Sequence, residues 1–412
     1  MSQDHTPLDL VRNRPVEGPV ACARPDRLKV AADWFLENFP GEVLYAVKAN
    51  PSSWVVDGLY AAGVRWFDVA STPEIEMIAA RCPDAVMAFM HPVKSRKAIR
   101  TAYHDHGVRI FALDCEAELA KILEETGHAD DLTLIVRLAV SNDGASLPLA
   151  GKFGATEFEA PDLIRAARAH AAELGVSFHV GSQCMTPSAY RAAMMECSRL
   201  IAKAGVTVDI VDVGGGFPSV YPGLTPPPLR DYIDAIESAF NEMMVLENAD
   251  LWCEPGRALI AEAASVLARV ELVKADAVHL NDGAYGCLFD LVHARWSYPM
   301  RVHRASGAPG AELAEFRLYG PTCDSIDSMP GAHLLPADLK EGDVIEFGML
   351  GAYGTAMATR FNGFGDVETV TVSDFPWTSL YDDAAARTPA ETGRVVAFRP
   401  RRRRHKLIRR RG

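Results

Sequence analysis

The sequence predicts an α/β fold, with a (β/α)8 TIM barrel followed by an antiparallel β domain. First, eight short apolar runs alternate with Ala-, Leu- and Glu-rich stretches of helical spacing over roughly the first 265 residues. Strands separated by helices form parallel βαβ units, and about eight such units make a barrel of about 250 residues. Second, β-rich runs punctuated by Gly and Pro, with little helix, follow Glu262. A doubly wound open sheet is the alternative for the first part.

The apolar runs give the predicted strands in order. Those of the barrel are 43–49, 66–71, 85–90, 109–114, 132–140, 176–183, 206–217 and 251–257. Helices are predicted between most of them, for example at 117–125, 162–174 and 190–204. The predicted strands of the second domain are 264–274, 277–280, 316–319, 343–347 and 368–372. Near-continuous apolar strands suit a sheet that is covered on both faces.

The change of pattern near residue 262 sets the predicted domain boundaries. We expect the barrel to span residues 25–262, and residues 1–24 and 263–395 to form the β domain. Residues 396–412 form a tail, because nine Lys and Arg side chains and no acidic one lie between Arg399 and Arg411. A block of like charges usually stays solvated, so we expect this tail to be disordered.

Charge and composition exclude several classes of protein. The 412 residues carry a net charge of −12, and without the nine basic charges of the tail the rest of the chain carries −21. A chain with so large a negative charge is unsuited to broad nucleic-acid binding. If the protein contacts a nucleic acid at all, we expect only the basic tail to do so. With 49% hydrophobic and 23% charged residues, the composition is that of a globular protein.

The sequence lacks the marks of membrane, secreted and metal-binding proteins. No apolar run reaches 18 residues, and the N-terminal MSQDHTPLDLVRNR has no apolar signal core. Eight scattered cysteines include no Cys-x-x-Cys pair, which argues against a metal site and for reduced thiols. We therefore expect a cytoplasmic protein without a metal.

Most of the predicted barrel strands end in a polar residue. At the carboxyl ends of barrel strands, side chains face the catalytic mouth of the barrel. They are Lys48, Asp68, Arg137, His179, Gly214–Gly216 and Glu254–Arg257. Lys48 ends an apolar strand, where desolvation is expected to lower the pKa of its amine. Such a lysine forms a Schiff base with a carbonyl group. A lysine that only reaches from the strand end to solvent is the simpler alternative.

Two glycine-containing segments indicate an anion site with a carboxylate beside it. Gly214–Gly216 would let backbone N–H groups close on a phosphate, although tight turns also need glycine. Glu254 would point into the mouth, where a protonated pyridine nitrogen would be a suitable cationic partner. Arg257 would reach the same phosphate. The alternative is a structural ion pair between Glu254 and Arg257.

His179 and the Cys323-Asp324 pair complete the candidates. His179 suits a general base or a flat stacking surface, and a packed core histidine is the alternative. No second histidine lies at metal-ligand spacing from it. Cys323 beside Asp324 would make a proton donor next to a site for a positively charged group. An isolated cysteine is more often a small buried apolar residue.

Together these residues resemble one family of enzymes. The segments from Tyr45-Ala-Val-Lys48-Ala-Asn to Phe361-Asn-Gly-Phe364 are similar, in order and spacing, to the pyridoxal-phosphate-dependent decarboxylases of basic amino acids. These enzymes have the alanine-racemase fold (fold type III), and the match is to their ornithine/lysine decarboxylase branch. The resemblance covers almost the whole chain apart from its ends.

The resemblance implies a role for each matching residue. Lys48 would bind the aldehyde of pyridoxal 5'-phosphate, His179 would stack on the pyridine ring, and Glu254 would pair with the ring nitrogen. The residues implied to bind the phosphate are Ser182, Gly214, Gly215, Gly216, Gly256, Arg257 and Tyr353. Asp68 and Glu74 are implied to lie near Lys48 and the ring. Arg137 and the segment Lys152-Phe-Gly154 match an arginine and a Lys-Phe-Gly segment that are usual in this branch.

The resemblance also implies a homodimer with two shared sites. Cys323 matches the residue that protonates the substrate carbon after CO2 leaves, and Asp324 the one that receives the distal ammonium. In the family both come from the partner subunit of a head-to-tail dimer. Diaminopimelate decarboxylases carry Cys-Glu-Ser here, and the shorter acid of Cys323-Asp324-Ser325 suits an ammonium instead of a second carboxylate.

One departure from the family concerns the second contact to the substrate. After Asn281-Asp-Gly-Ala-Tyr285-Gly, eukaryotic ornithine decarboxylases continue to Leu-Tyr-Asp, whose aspartate shares the distal amine. Without a gap that position is Ala294, and with about one helical turn missing it is Asp290, which we favour. Tyr285, Phe289 and Phe361 would line the same site. One methylene is worth only about 1–3 kcal/mol in such a pocket, so ornithine and lysine both fit.

The sequence therefore predicts a decarboxylase of L-ornithine, with L-lysine as a second substrate. Its products would be CO2 and putrescine or cadaverine, which belong to polyamine biosynthesis. One alternative is another enzyme of the fold, a racemase or a decarboxylase of diaminopimelate, arginine or carboxynorspermidine. The other alternative is a catalytically inactive homologue that acts as a binding protein.

Overall fold

A computed structural model describes residues 6–381 of the chain, apart from residues 150, 244, 246–248 and 295. The predicted basic tail, residues 396–412, and the end of the predicted β domain lie outside the described residues. Within them the chain forms a closed barrel of eight strands, a second sheet of eight strands and a small two-stranded sheet.

The elements alternate as the apolar pattern predicts. The helices are α1 (Pro7–Asn13), α2 (Pro25–Asn38), α3 (Ser53–Ala61), α4 (Thr72–Arg81), α5 (Arg96–Arg100), α6 (Glu116–Glu125), α7 (Ala160–Arg168), α8 (Ser188–Ala204), α9 (Leu229–Glu242), α10 (Arg257–Ile260) and α11 (Phe289–His293). The strands up to the end of the barrel are β1 (Val20–Ala23), β2 (Glu42–Ala46), β3 (Trp66–Val69), β4 (Val86–Phe89), β5 (Ile110–Leu113), β6 (Thr133–Arg137), β7 (Ala145–Leu147), β8 (Glu173–Ser177), β9 (Ser182–Cys184), β10 (Ile210–Asp212) and β11 (Asp250–Cys253). Those that follow are β12 (Ala264–Lys274), β13 (Ala277–Leu280), β14 (Met300–His303), β15 (Leu313–Tyr319), β16 (His333–Pro336), β17 (Val344–Phe347) and β18 (Glu368–Thr371).

The barrel confirms the predicted (β/α)8 fold. Its eight parallel strands run in the order β2, β3, β4, β5, β6, β8, β10 and β11, and β11 pairs back onto β2. The inside is filled by large apolar side chains, among them Trp66 and Trp252, whose ring centroids are 5.1 Å apart. A second apolar layer lies between the strands and the surrounding helices. The strands are therefore buried on both faces, which explains their continuous apolar runs.

The sixth barrel strand starts earlier than predicted. The prediction extended a helix through residue 174 and began the strand at Val176, whereas α7 ends at Arg168 and β8 begins at Glu173. Leu174 pairs with Leu134 of β6, so strand pairing outweighs the helical propensity of the Glu-Leu sequence. Gly175 also suits the strand, because a β-carbon there would collide with Ile135 of β6.

The second sheet is antiparallel in most of its pairings but not in all. It runs β14, β17, β12, β13, β15 and β16, with β1 on β12 and β18 on β1. The pairs of β13 with β15 and of β1 with β18 are parallel, which the prediction of an antiparallel domain missed. Parallel neighbours need long crossovers. The link from β13 to β15 supplies one, since it contains α11 and β14.

The helices of the first part surround the barrel. Helices α7, α8 and α9 pack side by side, and α2 contacts α3 and α10. In the described part of the chain, no helix combines the length and the apolar character that crossing a bilayer requires.

Candidate active site

The strand order brings the predicted residues to one end of the barrel. Because all eight strands are parallel, their carboxyl ends meet at the same rim. The residues at this rim are Lys48 in the 3₁₀ turn after β2, Asp68 on β3, Arg137 at the end of β6, His179 after β8, Gly214 after β10 and Glu254 after β11. The rim is called the mouth below.

Lys48 and Asp68 form an ion pair inside the mouth. The Nζ of Lys48 lies 2.6 Å from Oδ2 of Asp68. Asp68 is buried, whereas the Lys48 side chain is 47% exposed. Burial works to lower the pKa of Lys48, but the charges of Asp68 and Glu254 outweigh it and raise that pKa. The expected lowering is therefore wrong for the free protein, in which Lys48 is an ammonium and must lose a proton before it attacks a carbonyl.

Glu254 belongs to a buried pair of carboxyl groups. Asp212, at the end of β10, accepts a hydrogen bond from the N–H of Gly214 (2.8 Å) through Oδ1. Its Oδ2 is buried and has no hydrogen-bond partner among the described residues. Burial, then the nearby charges of Asp212 and Asp68, raise the pKa of Glu254 well above its ordinary value. A cation beside Glu254 would therefore be needed to stabilise its ionised form.

His179 is held as a neutral ring. Its Nδ1 accepts a hydrogen bond from the N–H of Gly181 at 2.9 Å, which puts the ring proton on Nε2. Burial, assisted by the charges of Arg137 and Lys48, lowers the pKa of His179 to about 3. A histidine with so low a pKa is a poor base at neutral pH, so the geometry favours the stacking role over the base.

The loop Gly214–Gly216 requires glycine at each position. Gly214 and Gly216 have positive φ angles of 67° and 104°. A β-carbon on Gly214 would collide with the carbonyl oxygen of Phe178, and one on Gly215 would lie 2.7 Å from that of Glu254. The N–H groups of Gly215 and Gly216 donate no hydrogen bond within the described chain. The loop is thus a compact turn with donors to spare, as a phosphate site requires.

The other residues predicted to bind the phosphate lie together beside the turn that contains Lys48. Arg257 is buried at the start of α10, with Nε 3.5 Å from Oγ of Ser182. The Tyr353 ring centroid lies 4.9 Å from the Arg257 guanidinium carbon. A β-carbon on Gly256 would lie 3.7 Å from the Tyr353 hydroxyl and 3.1 Å from the β-carbon of Ala49. The structure therefore brings Ser182, Gly256, Arg257 and Tyr353 together next to the Lys48 turn.

Asp290 does not stand free for a substrate amine. Arg257 donates to it twice, from Nη1 to Oδ2 at 2.7 Å and from Nη2 to Oδ1 at 3.3 Å. The hydroxyl of Tyr298 also donates to Asp290, and Nη1 of Arg257 donates to the Tyr221 hydroxyl at 3.0 Å. The residue proposed for the substrate and the residue proposed for the phosphate are thus bound to each other.

Two further predicted residues, Glu74 and Arg137, shape the rim, and neither is hydrogen-bonded to Lys48 within the described chain. Glu74 accepts a hydrogen bond from the N–H of Ala70 (2.6 Å), and burial raises the pKa of its carboxyl. The Arg137 guanidinium carbon and the Lys152 Nζ lie 6.0 Å and 4.9 Å from the ring centroid of Phe153. This places the Lys152-Phe-Gly154 segment beside Arg137, as the resemblance implies.

The residues from the second domain form a surface group, the Cys323 patch, defined as Cys323, Asp324, Tyr285 and Phe361. The Tyr285 hydroxyl donates to Oδ2 of Asp324 at 2.7 Å, and the Tyr285 and Phe361 ring centroids are 4.7 Å apart. Cys323 is exposed, and Phe361 is 44% exposed. In the described chain no hydrogen bond or ion pair joins the patch to Lys48. Phe289, also predicted at the substrate, stacks on His293 with ring centroids 3.9 Å apart.

Sequence reasoning missed three side chains that support the mouth. Asp212 carried a signal, since an acid directly before the Val213-Gly214 turn is placed to bind a turn N–H. Tyr221 and Tyr298 carried none, because they lie in irregular segments that only the tertiary structure brings to Arg257.

The mouth fits pyridoxal 5'-phosphate on the chemistry of its donors. An amine stands at the open side of the mouth, a neutral imidazole offers a flat face, and the carboxyl group of Glu254 would be ionised beside a cation such as a protonated ring nitrogen. The glycine loop and Arg257 offer donors to a phosphate. Within the described residues no group of three or more His, Cys, Asp or Glu side chains is placed to hold a metal ion.

Comparison with known proteins supports the same cofactor. Residues 26–261 match the family model of the pyridoxal-dependent decarboxylase, pyridoxal binding domain. A lysine/ornithine decarboxylase of Selenomonas ruminantium is 32% identical over 368 residues, which are 87% of this chain and 90% of that protein.

Solved structures of decarboxylases share the fold over most of their length. The lysine/ornithine decarboxylase of Vibrio vulnificus, complexed with cadaverine, has a TM-score of 0.75 at 29% identity, covering 87% of this chain and 96% of that one. The arginine decarboxylase of Paramecium bursaria Chlorella virus, bound to agmatine, has a TM-score of 0.76 at 27% identity, covering 86% and 96%. The chain therefore belongs to the pyridoxal-dependent decarboxylases, and it is an amino-acid decarboxylase that uses pyridoxal 5'-phosphate.

Proposed function

We propose that the chain decarboxylates L-ornithine, and also L-lysine, to putrescine or cadaverine for polyamine biosynthesis in the cytoplasm. The observation that carries the proposal is the carboxylate of Asp324, which forms no ion pair within the described residues. The hydrogen bonds from the Tyr285 hydroxyl and from the Ile326 N–H lower the pKa of Asp324, which keeps it ionised at neutral pH. Among the described residues it has no cationic partner, so it suits the distal ammonium of a basic amino acid.

The residues of the mouth would hold the cofactor at its aldehyde, its ring nitrogen and its phosphate. Lys48 would bind the aldehyde and Glu254 the ring nitrogen, with His179 against the ring face. Arg257, Ser182 and the glycine loop would bind the phosphate. When bound, the cofactor supplies an electron-accepting ring for the electron pair that the departing CO2 leaves behind.

Cys323 would supply the proton that completes the reaction. Loss of CO2 breaks the bond between the α-carbon and the carboxyl carbon, and the α-carbon must then gain one proton. The Cys323 thiol is exposed and lies next to the residue proposed for the distal ammonium, so a substrate held by Asp324 would pass beside it. The position suits a general acid.

The Cys323 patch would act in a second subunit. Its exposed thiol and the half-exposed Phe361 lie on the surface, and within the described residues no hydrogen bond or ion pair joins them to Lys48 of the same chain. A head-to-tail homodimer, in which each patch completes the partner's mouth, would supply both halves of the site twice. Closed dimers with two-fold symmetry are the commonest oligomers.

The test is a spectrum followed by a panel of substrates. The purified chain should show the absorbance of bound pyridoxal 5'-phosphate and release CO2 from ornithine and lysine. Arginine and diaminopimelate should be poor substrates, because one exceeds the reach to Asp324 and the other carries a second carboxylate. Rapid turnover of diaminopimelate or arginine with none of ornithine would contradict the proposed substrate class.

A further inference from the structure

The guanidinium of Arg257 is anchored along one edge. Its Nη1 donates to Asp290 and to the Tyr221 hydroxyl and lies 3.5 Å from the Tyr298 hydroxyl. Its Nε, on the other side of the group, lies 3.5 Å from Oγ of Ser182. The anchored edge and the edge that faces the predicted phosphate residues are therefore different.

Aromatic rings enclose the same group. The guanidinium carbon of Arg257 lies 5.1 Å from the Trp296 ring centroid, 4.9 Å from that of Tyr353 and 5.9 Å from that of Tyr221. Arg257 and Asp290 are 5% and 6% exposed. Within the described chain Asp290 is the only acidic side chain that forms an ion pair with this arginine.

We propose that Asp290, with the hydroxyls of Tyr221 and Tyr298, is a positioning group that fixes Arg257 for the cofactor phosphate, and that Asp290 does not bind the substrate amine. The inference rests on the proposed function, because it takes the ligand of Arg257 to be that phosphate. It replaces the expectation that Asp290 shares the distal ammonium with Asp324.

Burial gives the physical reason for an acidic anchor. A guanidinium out of water needs an anionic or hydrogen-bonding partner at each donor, and breaking a buried ion pair leaves an uncompensated charge. Without Asp290 the arginine would turn toward solvent and give up its alignment with Ser182. Arginine recognises phosphate through directed donors, so lost alignment weakens phosphate binding.

An opposite effect must be separated in the test. Removing the negative charge of Asp290 also removes a repulsion on the phosphate, which would strengthen binding. The tyrosines allow the separation, because Tyr298→Phe and Tyr221→Phe remove anchoring hydrogen bonds without any change in charge. We expect both charge-neutral variants to weaken phosphate binding in the same direction as Asp290→Asn.

The experiment titrates the full-length chain, stripped of cofactor, with pyridoxal 5'-phosphate and separately with pyridoxal, which has no phosphate. For Asp290→Asn we expect the Kd of pyridoxal 5'-phosphate to rise about tenfold or more, as for a lost charge-assisted contact. The tyrosine variants should raise it about threefold each, a smaller effect than that of Asp290→Asn because the ion pair between Arg257 and Asp290 stays in place. The Kd of pyridoxal should stay within about twofold in all three.

A matched control comes from the second sheet. Arg304 and Asp343 form a similar buried pair, with Nε–Oδ1 and Nη2–Oδ2 distances of 2.7 and 2.8 Å. Asp343→Asn should cost stability but leave both dissociation constants unchanged. Asp290→Glu, which keeps the carboxylate, should restore part of the phosphate affinity that Asp290→Asn loses.

Substrate kinetics at saturating cofactor supply the second arm. Asp290→Asn should leave the KM of ornithine within about threefold, whereas Asp324→Asn should raise it about tenfold or more. An unchanged or lower Kd of pyridoxal 5'-phosphate in Asp290→Asn, or an equal change for pyridoxal, would overturn the inference. So would a tenfold higher KM in that variant. If the wild-type chain binds the cofactor but does not decarboxylate ornithine, the proposed function is wrong. The titrations with pyridoxal 5'-phosphate and with pyridoxal still test the role of Asp290 in that case.

Discussion

The mouth of the barrel and the Cys323 patch hold their functional side chains in opposite ways. In the mouth, Asp68 and Glu254 are buried, and Lys48 is fixed by a carboxylate 2.6 Å away. In the patch, the Cys323 thiol is exposed, and the backbone N–H of Cys323 donates a hydrogen bond to Oδ1 of Asn362. One chain thus builds a fully supported cofactor site and leaves its proposed acid on the surface.

The difference indicates that the mouth and the Cys323 patch have different roles in the proposed reaction. Preorganised polar groups are most effective where water is excluded, as around the buried carboxyl groups of Asp68 and Glu254. An exposed thiol gains no such environment from its own chain. Under the proposed function, the mouth would bind the cofactor with groups of its own chain, whereas the patch would need a further surface to become part of a closed site. The following predictions test each side of this comparison, beginning with the largest effect.

Loss of the mouth's amine should have the largest effect. Lys48→Ala should abolish both decarboxylation and the absorbance band of the cofactor bound through its aldehyde, because the chain would lack the attacking amine. An absorbance spectrum with a CO2-release assay measures both. Lys121→Ala, which removes a lysine paired with Glu118 elsewhere in the chain, is the control and should change neither. A wild-type spectrum in Lys48→Ala would contradict the assignment.

Loss of the patch's thiol should slow the reaction without emptying the mouth. In Cys323→Ala we expect kcat to fall by about 10²–10⁴, the usual contribution of a general acid. The spectrum of bound cofactor should stay unchanged. Cys115 is the other exposed cysteine, so Cys115→Ala controls for loss of a surface thiol. If Cys323→Ala lost the cofactor band, the two regions would not be independent as described.

The neutral ring of His179 should make the mouth sensitive to acid. Its pKa is about 3 in the folded chain against an ordinary value of 6.5. Between these values the unfolded chain binds a proton that the folded chain does not, so stability falls as the pH drops below about 6.5. Urea unfolding of cofactor-free protein at pH 7.5 and 5.0 should show a loss about 2 kcal/mol larger for wild type than for His179→Gln. Equal losses would mean that His179 is charged in the folded state.

Removal of the basic tail should have the smallest effect. Residues 399–412 lie outside the described residues and outside the segments that resemble the family. We therefore expect a chain ending at residue 398 to keep its kcat, its KM and its absorbance spectrum. A large loss of activity would show that the tail contributes to one of the two regions.

The sequence predicted the barrel well because its signal is local. Each strand is a short apolar run, and polar residues at the run ends mark the mouth, so Lys48, His179 and Glu254 could be placed without coordinates. Strand β8 began earlier than predicted, because the pairing of Leu174 with Leu134 is a long-range contact. The parallel pairs of the second sheet were missed for the same reason.

Electrostatics and side-chain partners were harder to predict than positions. The pKa of Lys48 was expected to be lowered by desolvation, but Asp68 and Glu254 lie close enough to reverse the shift. The bond between Asp290 and Arg257, which is 33 residues away in sequence, was not predicted either. Both outcomes depend on distances between strand ends and loops, and no sequence pattern carries those distances.

The most direct test of the division between mouth and patch is complementation of two inactive variants. Lys48→Ala lacks the mouth's amine and keeps the patch, whereas Cys323→Ala keeps the mouth and lacks the thiol. If each active site combines one chain's mouth with its partner's patch, subunit exchange between the two variants creates one intact site in each mixed dimer. The mixture should then regain about a quarter of wild-type activity, since about half of the dimers are mixed and each has one working site of two. A mixture that stays as inactive as the two separate variants would contradict the account.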